Sequence, residues 1–259
     1  RDEQALSRAR ARLGAFEDRV RFEHSAFGDL RALLGRAGWS DGVDGVLLDL
    51  GVSSLQLDLA ERGFSFRQVA PLDMRMDRSR GPTAADLLAE SSERELADII
   101  YQYGEEHAAR RIARQIVRAR ADRPITTTDQ LRELVIRAGV RGRPGHDPAT
   151  RTFQALRIAV NDELAELESV LREGWQLLRP AGRFVVLTYH SLEDRMVKHA
   201  FRDWSARCKC PPGRPICDCG WTPKVRSVVR GRQAASAGEV AANPRARSAG
   251  LRAVERLAS

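Results

Sequence analysis

The stretch Val46-Leu47-Leu48-Asp49-Leu50-Gly51-Val52-Ser53-Ser54-Leu55-Gln56-Leu57-Asp58 constrains the fold most. A short apolar run ends in a carboxylate and then breaks into a turn of small residues. Open α/β sheets bind their ligands just beyond the carboxyl ends of the strands, so Asp49 stands where such sheets do chemistry. A plain buried strand followed by a capped turn reads the same way. The segment alone leaves both readings open, and the rest of the chain decides between them.

Around this run the apolar spacing alternates between strand and helix. Ala5, Leu6, Ala9 and Leu13 predict a helix from Glu3 to Leu13. Val20-Arg21-Phe22 reads as a short strand, and Leu30, Leu33 and Leu34 form a helical face before the strand that ends at Asp49. Such alternation is the pattern of a doubly wound, parallel α/β sheet. A Gly-rich turn of the kind that grips a nucleotide phosphate is not found. The cluster Gly139, Gly142 and Gly145 follows no strand and reads as a flexible basic loop.

From Thr83 to about Pro148 the pattern is helical and charged, carried by Leu87, Leu88, Leu96, Ile99, Ile100, Ile112, Ile116, Val117, Leu131, Leu134 and Val135. Thr126-Thr127-Thr128-Asp129 is an N-cap cluster for the last of these helices. We therefore expect an inserted helical subdomain over 83–148, splitting a domain formed by 1–82 and 149–259. The α/β pattern resumes with a long helix from Phe153 to Leu178, ended by Pro180 and Gly182. A strand over Arg183–Tyr189 then leads to a second polar cluster, His190-Ser191-Leu192-Glu193-Asp194. Beyond Val228 the chain reads as irregular up to a closing helix over Leu251–Leu257.

The 259 residues carry a formal net charge of +8, which favours a polyanionic partner such as nucleic acid. Nearly all the cations are Arg, as a GC-rich genome would produce, but that bias does not account for the excess over acids. Arg110, Arg111, Arg114, Arg118 and Arg120 make one predicted helix strongly basic, the alternative being a merely solvated face. No run of roughly eighteen apolar residues exists to cross a membrane. The opening Arg1-Asp2-Glu3-Gln4 shows no apolar segment of a secretory signal, and the clustering of the four cysteines leads us to expect a cytoplasmic protein.

Cys208, Cys210, Cys217 and Cys219 all fall in one short loop, unlike a disulfide framework spread over a secreted domain. Two Cys-x-Cys pairs with a Pro/Gly turn between them have workable ligand geometry for four-thiolate zinc. The spacing is tighter than the usual Cys-x2-Cys knuckle, and the sequence by itself assigns no metal.

Seven motifs coincide in order: Leu48-Asp49-Leu50-Gly51-Val52-Ser53-Ser54, Arg62-Gly63-Phe64-Ser65-Phe66, Pro71-Leu72-Asp73-Met74-Arg75-Met76, Tyr103-Gly104-Glu105-Glu106, Pro148-Ala149-Thr150-Arg151-Thr152-Phe153-Gln154-Ala155-Leu156-Arg157, His190-Ser191-Leu192-Glu193-Asp194-Arg195 and Asn243-Pro244-Arg245-Ala246-Arg247-Ser248. Together they closely resemble the RsmH (MraW) family of bacterial 16S rRNA (cytosine-N4)-methyltransferases over essentially the whole chain. The resemblance implies a class I, Rossmann-like methyltransferase sheet with an inserted substrate-recognition subdomain. It implies S-adenosylmethionine as cofactor and one cytidine in the decoding region of the small-subunit rRNA as substrate. Phe27 and Asp49 would line the cofactor pocket and Gln56 would close it. The family's Gly-Gly-His loop and the acidic residue ending its second strand would precede Arg1. On that reading the chain is an N-terminal truncation lacking its first strands, weak in cofactor binding and activity. A catalytically dead rRNA-binding module is the alternative.

Methyl transfer to cytosine N4 needs alignment, together with an acceptor for the amine hydrogen. Asp49 is the first candidate for that acceptor, with a purely cofactor-binding role as its alternative. His190 is the second, with a strand-end hydrogen bond to backbone as its alternative. A DNA amino methyltransferase would place Pro-Pro-aromatic after the acid, where this chain has Leu50-Gly51-Val52. The base must be unstacked or single-stranded to react. Phe64, Phe66 and Met76 would flank it or else anchor their loop on the core. Arg75, Arg78, Arg80, Arg151 and Arg157 are natural phosphate contacts, unless they form internal ion pairs. Carbon-5 methylation is excluded, since it needs a cysteine nucleophile and every cysteine lies in the late loop.

Overall fold

The computed structural model describes residues 1–142, 147–211 and 216–258. Gly145 of the predicted basic loop lies outside the described residues. In chain order the elements begin with α1 (Glu3–Leu13), α2 (Leu30–Arg36), β1 (Val43–Asp49), α3 (Ser54–Asp58), α4 (Ala84–Glu90), α5 (Glu93–Gly104), α6 (Ala109–Asp122) and α7 (Thr128–Arg137). They continue with α8 (Thr150–Asn161), α9 (Glu163–Glu173), β2 (Leu178–Thr188), α10 (Ser191–Ser205), β3 (Val225–Ser227), β4 (Gln233–Ala234), α11 (Ala237–Ala242) and β5 (Gly250–Arg256). The chain divides into two compact units, one of residues 1–24 and 52–163, the other of 25–51 and 164–259.

The second unit holds the sheet, in the order β1-β2-β5-β3 with β4 also on β5. β1 and β2 are parallel, while β5 runs antiparallel to β2, β3 and β4. The sheet is therefore mixed rather than wholly parallel. Val46 and Leu48 are buried and Leu47 and Asp49 exposed, the two-residue period of a strand with one covered face. That face packs with Leu167, Val170 and Leu171 of α9 and with Val197, Phe201 and Trp204 of α10. Phe184, Phe201 and Trp204 form an aromatic cluster with ring centroids 5.3–6.0 Å apart. Gly174 lies against it so closely that an added Cβ would stand 2.9 Å from Phe184 and 3.0 Å from Trp204.

The first unit is helical. α4, α5, α6, α7 and α8 bury Leu88, Leu96, Ile100, Ile112, Ile116, Leu131, Val135, Phe153 and Leu156 together. Capping boxes at Thr83, Ser92 and Thr127 start α4, α5 and α7, satisfying amide donors that a helix start leaves open. The Thr127 box is the one expected from the Thr126–Asp129 cluster. The unit takes in 52–82 and 1–24 as well as the helices of 83–148.

Four expectations about the elements are corrected. Val20-Arg21-Phe22 is not a strand: among the described residues it pairs with no other segment, and an unpaired extended run gains no ladder. The long helix expected over Phe153–Leu178 is two helices, broken at Asp162, whose backbone is left-handed (φ 51°, ψ 34°). Asn161 enforces the break by turning its side chain onto backbone groups of Met74, Met76 and Arg157. Pro180 and Gly182 do not stop a helix but sit in an irregular stretch of β2, where the register with β1 shifts. Finally, the closing segment is the strand β5, not a helix, and the supposedly irregular region before it contains β4 and α11. Pairing along β2 overrides the helical preference of Leu251-Arg252-Ala253.

Candidate active site at the strand ends

β1 and β2 deliver their carboxyl ends side by side, with Asp49 opposite Leu187 in the ladder. The Leu50 N–H donates to the Leu187 carbonyl, continuing the pairing one residue further. Gly51 then turns the chain with φ +80°, a conformation that costs glycine little. Asp49 is left exposed, and its Oδ1 accepts a 2.9 Å hydrogen bond from the Tyr189 hydroxyl. Burial pushes the Tyr189 phenol up, and Asp49 beside it adds to the shift, to about 12. The phenol therefore stays protonated at neutral pH and donates its hydrogen to Asp49. It fixes one carboxylate oxygen and leaves the rest of the group open to solvent. Tyr189 is a site residue that sequence reasoning passed over as the last residue of a strand. The signal that could have found it was the pairing of two strands that both end in polar clusters.

Behind Tyr189 the motif His190-Ser191-Leu192-Glu193-Asp194 builds the first turn of α10. The buried Glu193 carboxylate accepts the N–H groups of Tyr189 at 2.8 Å and His190 at 3.3 Å. His190 Nδ1 accepts the Glu193 N–H at 3.4 Å, and its Nε2 lies 3.2 Å from Glu193 Oε1. Both ring nitrogens thus face the first turn of their own helix. Asp194 takes a bidentate pair of hydrogen bonds from Arg252 of β5, at 2.8 and 2.9 Å. Burial would raise the Asp194 carboxyl, but Arg252 outweighs it and holds it below the usual range. Phe27 opens a short 3₁₀ turn in the same unit and packs on the sheet's core, next to Gly28, whose N–H donates to Glu166.

The other expected site residues belong to the helical unit. Gln56 is buried; its amide donates to Asp2 at 2.8 Å and accepts the Ser53 N–H at 2.9 Å. Asp2 also receives the buried Arg62 at 2.8 Å and two amides of α1. Burial raises the Asp2 carboxyl, but the hydrogen bonds from Arg62 and Gln56 prevail and depress it. Arg62 reaches on to the carbonyls of Arg75 and Met76, while Asn161 holds Met74 and Met76 from the other side. The Pro71–Met76 motif is thereby clamped, with Met74 in the left-handed region at φ 61°.

Met76 and Phe64 are core residues, and Phe66 stacks edge-on against Phe153 at 4.9 Å, so all three anchor their segments on the core. Arg75 is paired with Asp73, and Arg157 is bidentate to Glu163 at 2.8 and 2.9 Å. Arg151 is half-exposed, bonding the Glu105 carbonyl at 3.1 Å and lying 3.9 Å from the Glu106 carboxylate. On α6, Arg110, Arg111, Arg114 and Arg118 face solvent, whereas Arg120 turns inward to the carbonyls of Leu88 and Ser91. Among the described residues no helix is long and apolar enough to cross a membrane.

Parallel strands that bring a carboxylate to their shared end are how Rossmann-like α/β transferases meet their ligands, and the fold is of that class. The model of the MraW methylase family matches residues 1–257, and the chain belongs to that methyltransferase family. It is 54% identical over 262 residues to a "Ribosomal RNA small subunit methyltransferase H" from Syntrophotalea carbinolica, covering 99% of this chain and 82% of the relative. Proteins of the same name from Symbiobacterium thermophilum and Geobacter sulfurreducens are 53% and 54% identical over 259 residues each. Both matches cover 99% of this chain, with 81% and 83% of the relatives.

Proposed function

We propose that this methyltransferase methylates the N4 amine of a cytidine in the decoding region of 16S rRNA, with S-adenosylmethionine as methyl donor. The observation that carries the reading is the exposed Asp49 carboxylate, fixed by Tyr189 at the paired ends of β1 and β2. S-adenosylmethionine, when bound, supplies the electrophilic methyl group. Phe27 and Asp49 fit it as an aromatic surface and a carboxylate on one unit, placed where α/β sheets take ligands.

The cytosine N4 lone pair is delocalised into the ring, which makes the amine a poor nucleophile. Asp49 accepts an N4–H hydrogen bond and draws the lone pair out of conjugation, toward the methyl group. Tyr189 holds the carboxylate in one orientation. Glu193 acts as a positioning residue by accepting the Tyr189 and His190 N–H groups, and the His190 ring supports it by accepting the Glu193 N–H. Arg151 and the exposed α6 arginines bind the RNA backbone, and the helices of 83–148 recognise the substrate. Arg75 in its loop and Arg157 on α8 are engaged by Asp73 and Glu163 rather than gripping phosphate. We place the enzyme in the cytoplasm, on small ribosomal subunits.

The test is to incubate the protein with S-adenosylmethionine and unmodified small subunits and map modified nucleosides by mass spectrometry. N4-methylcytidine in the decoding region is expected. Methyl on carbon 5, or on ribose alone, would refute the reading.

A further inference from the structure

The loop between α10 and β3 holds a cluster that the methyl-transfer chemistry does not use. The ligand atoms of Cys208, Cys210, Cys217 and Cys219 all lie within 4.8 Å of one another. Sulfur separations are 3.3 Å for Cys208–Cys217, 3.5 Å for Cys217–Cys219, 3.8 Å for Cys208–Cys219 and 3.8 Å for Cys210–Cys217. All four are free thiols. A tetrahedral ion with zinc–sulfur bonds of about 2.3 Å needs sulfurs about 3.8 Å apart. From this geometry we infer that the loop is a four-thiolate zinc site.

Two further features support it. The Cys210 N–H points at Cys208 Sγ (3.2 Å) and the Lys209 N–H at Cys219 Sγ (3.4 Å), so backbone donors already face sulfurs that would become thiolates. Among its described residues the loop buries little apolar surface: Cys208, Cys217 and Cys219 are exposed, and Ile216 is 76% exposed. Trp221 donates to the Ala206 carbonyl at 3.1 Å and lies under the Lys209 ammonium. A segment with so small an apolar core gains order from a metal clip. Binding releases the thiol protons as four Zn–S bonds form, and no electron is transferred. Arg207 and Lys209 flank Cys208 and offset the negative charge of the four-thiolate complex. Thiolate-only tetrahedral ligation favours zinc over harder ions.

The full chain, purified under reducing conditions after zinc supplementation, should carry about one zinc by elemental analysis. Its four cysteines should resist alkylation until a chelator is added. Cobalt added to the stripped protein should give the intense visible bands of tetrahedral thiolate cobalt. Cys208→Ser combined with Cys217→Ser should abolish the bands and weaken zinc binding by more than about a hundredfold. The wild-type metal content and alkylation rates stand even if that variant fails to fold. Zinc below about a tenth of an equivalent with unprotected thiols, iron in its place, or a mass reduced by disulfide formation would each overturn the assignment.

Discussion

Two side chains carry most of the proposed site, and they are tested by different readouts. Asp49 is exposed, so Asp49→Ala should leave the fold intact by circular dichroism while methylation falls more than about tenfold, the loss typical of a removed transition-state group. An active alanine variant would remove Asp49 from the mechanism. Tyr189→Phe keeps the carboxylate but frees it, and should lower kcat more than it raises KM. The raised Tyr189 pKa means the fold favours the neutral phenol. That contribution to stability is complete below the ordinary tyrosine pKa and is lost as pH rises through about 12. Tyr189→Phe should therefore delete a step near pH 12 from a tyrosinate absorbance titration. Deletion of a step near the ordinary tyrosine pKa instead would break the inferred bond. In the helical unit, Arg62 is 1% exposed and pairs with the buried Asp2. Arg62→Ala should cost about 3–5 kcal/mol in urea denaturation by stranding that carboxylate. The Asp2 carboxyl is depressed in the folded state, so its contribution is present above the ordinary carboxylate pKa and fades as pH falls through the lowered value.

Among the elements, the sheet unit depends on close approaches as much as on apolar area. Gly174 precedes β2 at the point where Phe184 and Trp204 meet. Alanine is ordinarily a benign replacement for glycine, but here its methyl would press on two packed rings at about 3 Å. Gly174→Ala should destabilise by about 1–3 kcal/mol, as overpacking does. A neutral or stabilising effect would mean that the aromatic cluster yields freely. The same logic explains why two of the seven motifs are built as braces. Pro71–Met76 is clamped by Arg62 and Asn161, and His190–Asp194 fastens α10 to β5 through Arg252. Each brace fixes its own segment within its own unit.

For the molecule as a whole, the charge of +8 is an argument about partners rather than about fold. On α6 the exposed arginines lie opposite the buried Ile112, Ala113 and Ile116, so the helix offers its basic face outward without weakening its core. Replacing Arg110, Arg111 and Arg114 together should leave thermal stability nearly unchanged. It should also flatten the slope of log affinity for rRNA against log salt by roughly one unit for each phosphate no longer neutralised. An unchanged slope would assign that face to solvent.

What the sequence determined is what short-range chemistry specifies. The strand ending at Asp49, the helix over Glu3–Leu13, the N-cap at Thr127 and the helices α4 to α7 follow from periodicity and capping, which act within a few residues. The ordered motifs were enough to identify the family. What only tertiary structure decided was pairing and commitment. Leu251–Arg256 has a helix-forming composition yet lies between β2 and β3, because a ladder on both sides outweighs a weak intrinsic preference. Nothing local marks Tyr189 as the partner of Asp49, since 140 residues separate them. Arg75, Arg151 and Arg157 are identical as cations, but only their folded surroundings decide that two are locked to carboxylates and one is left partly open. A side chain's role depends on which charges and hydrogen bonds reach it, and the fold alone brings those together.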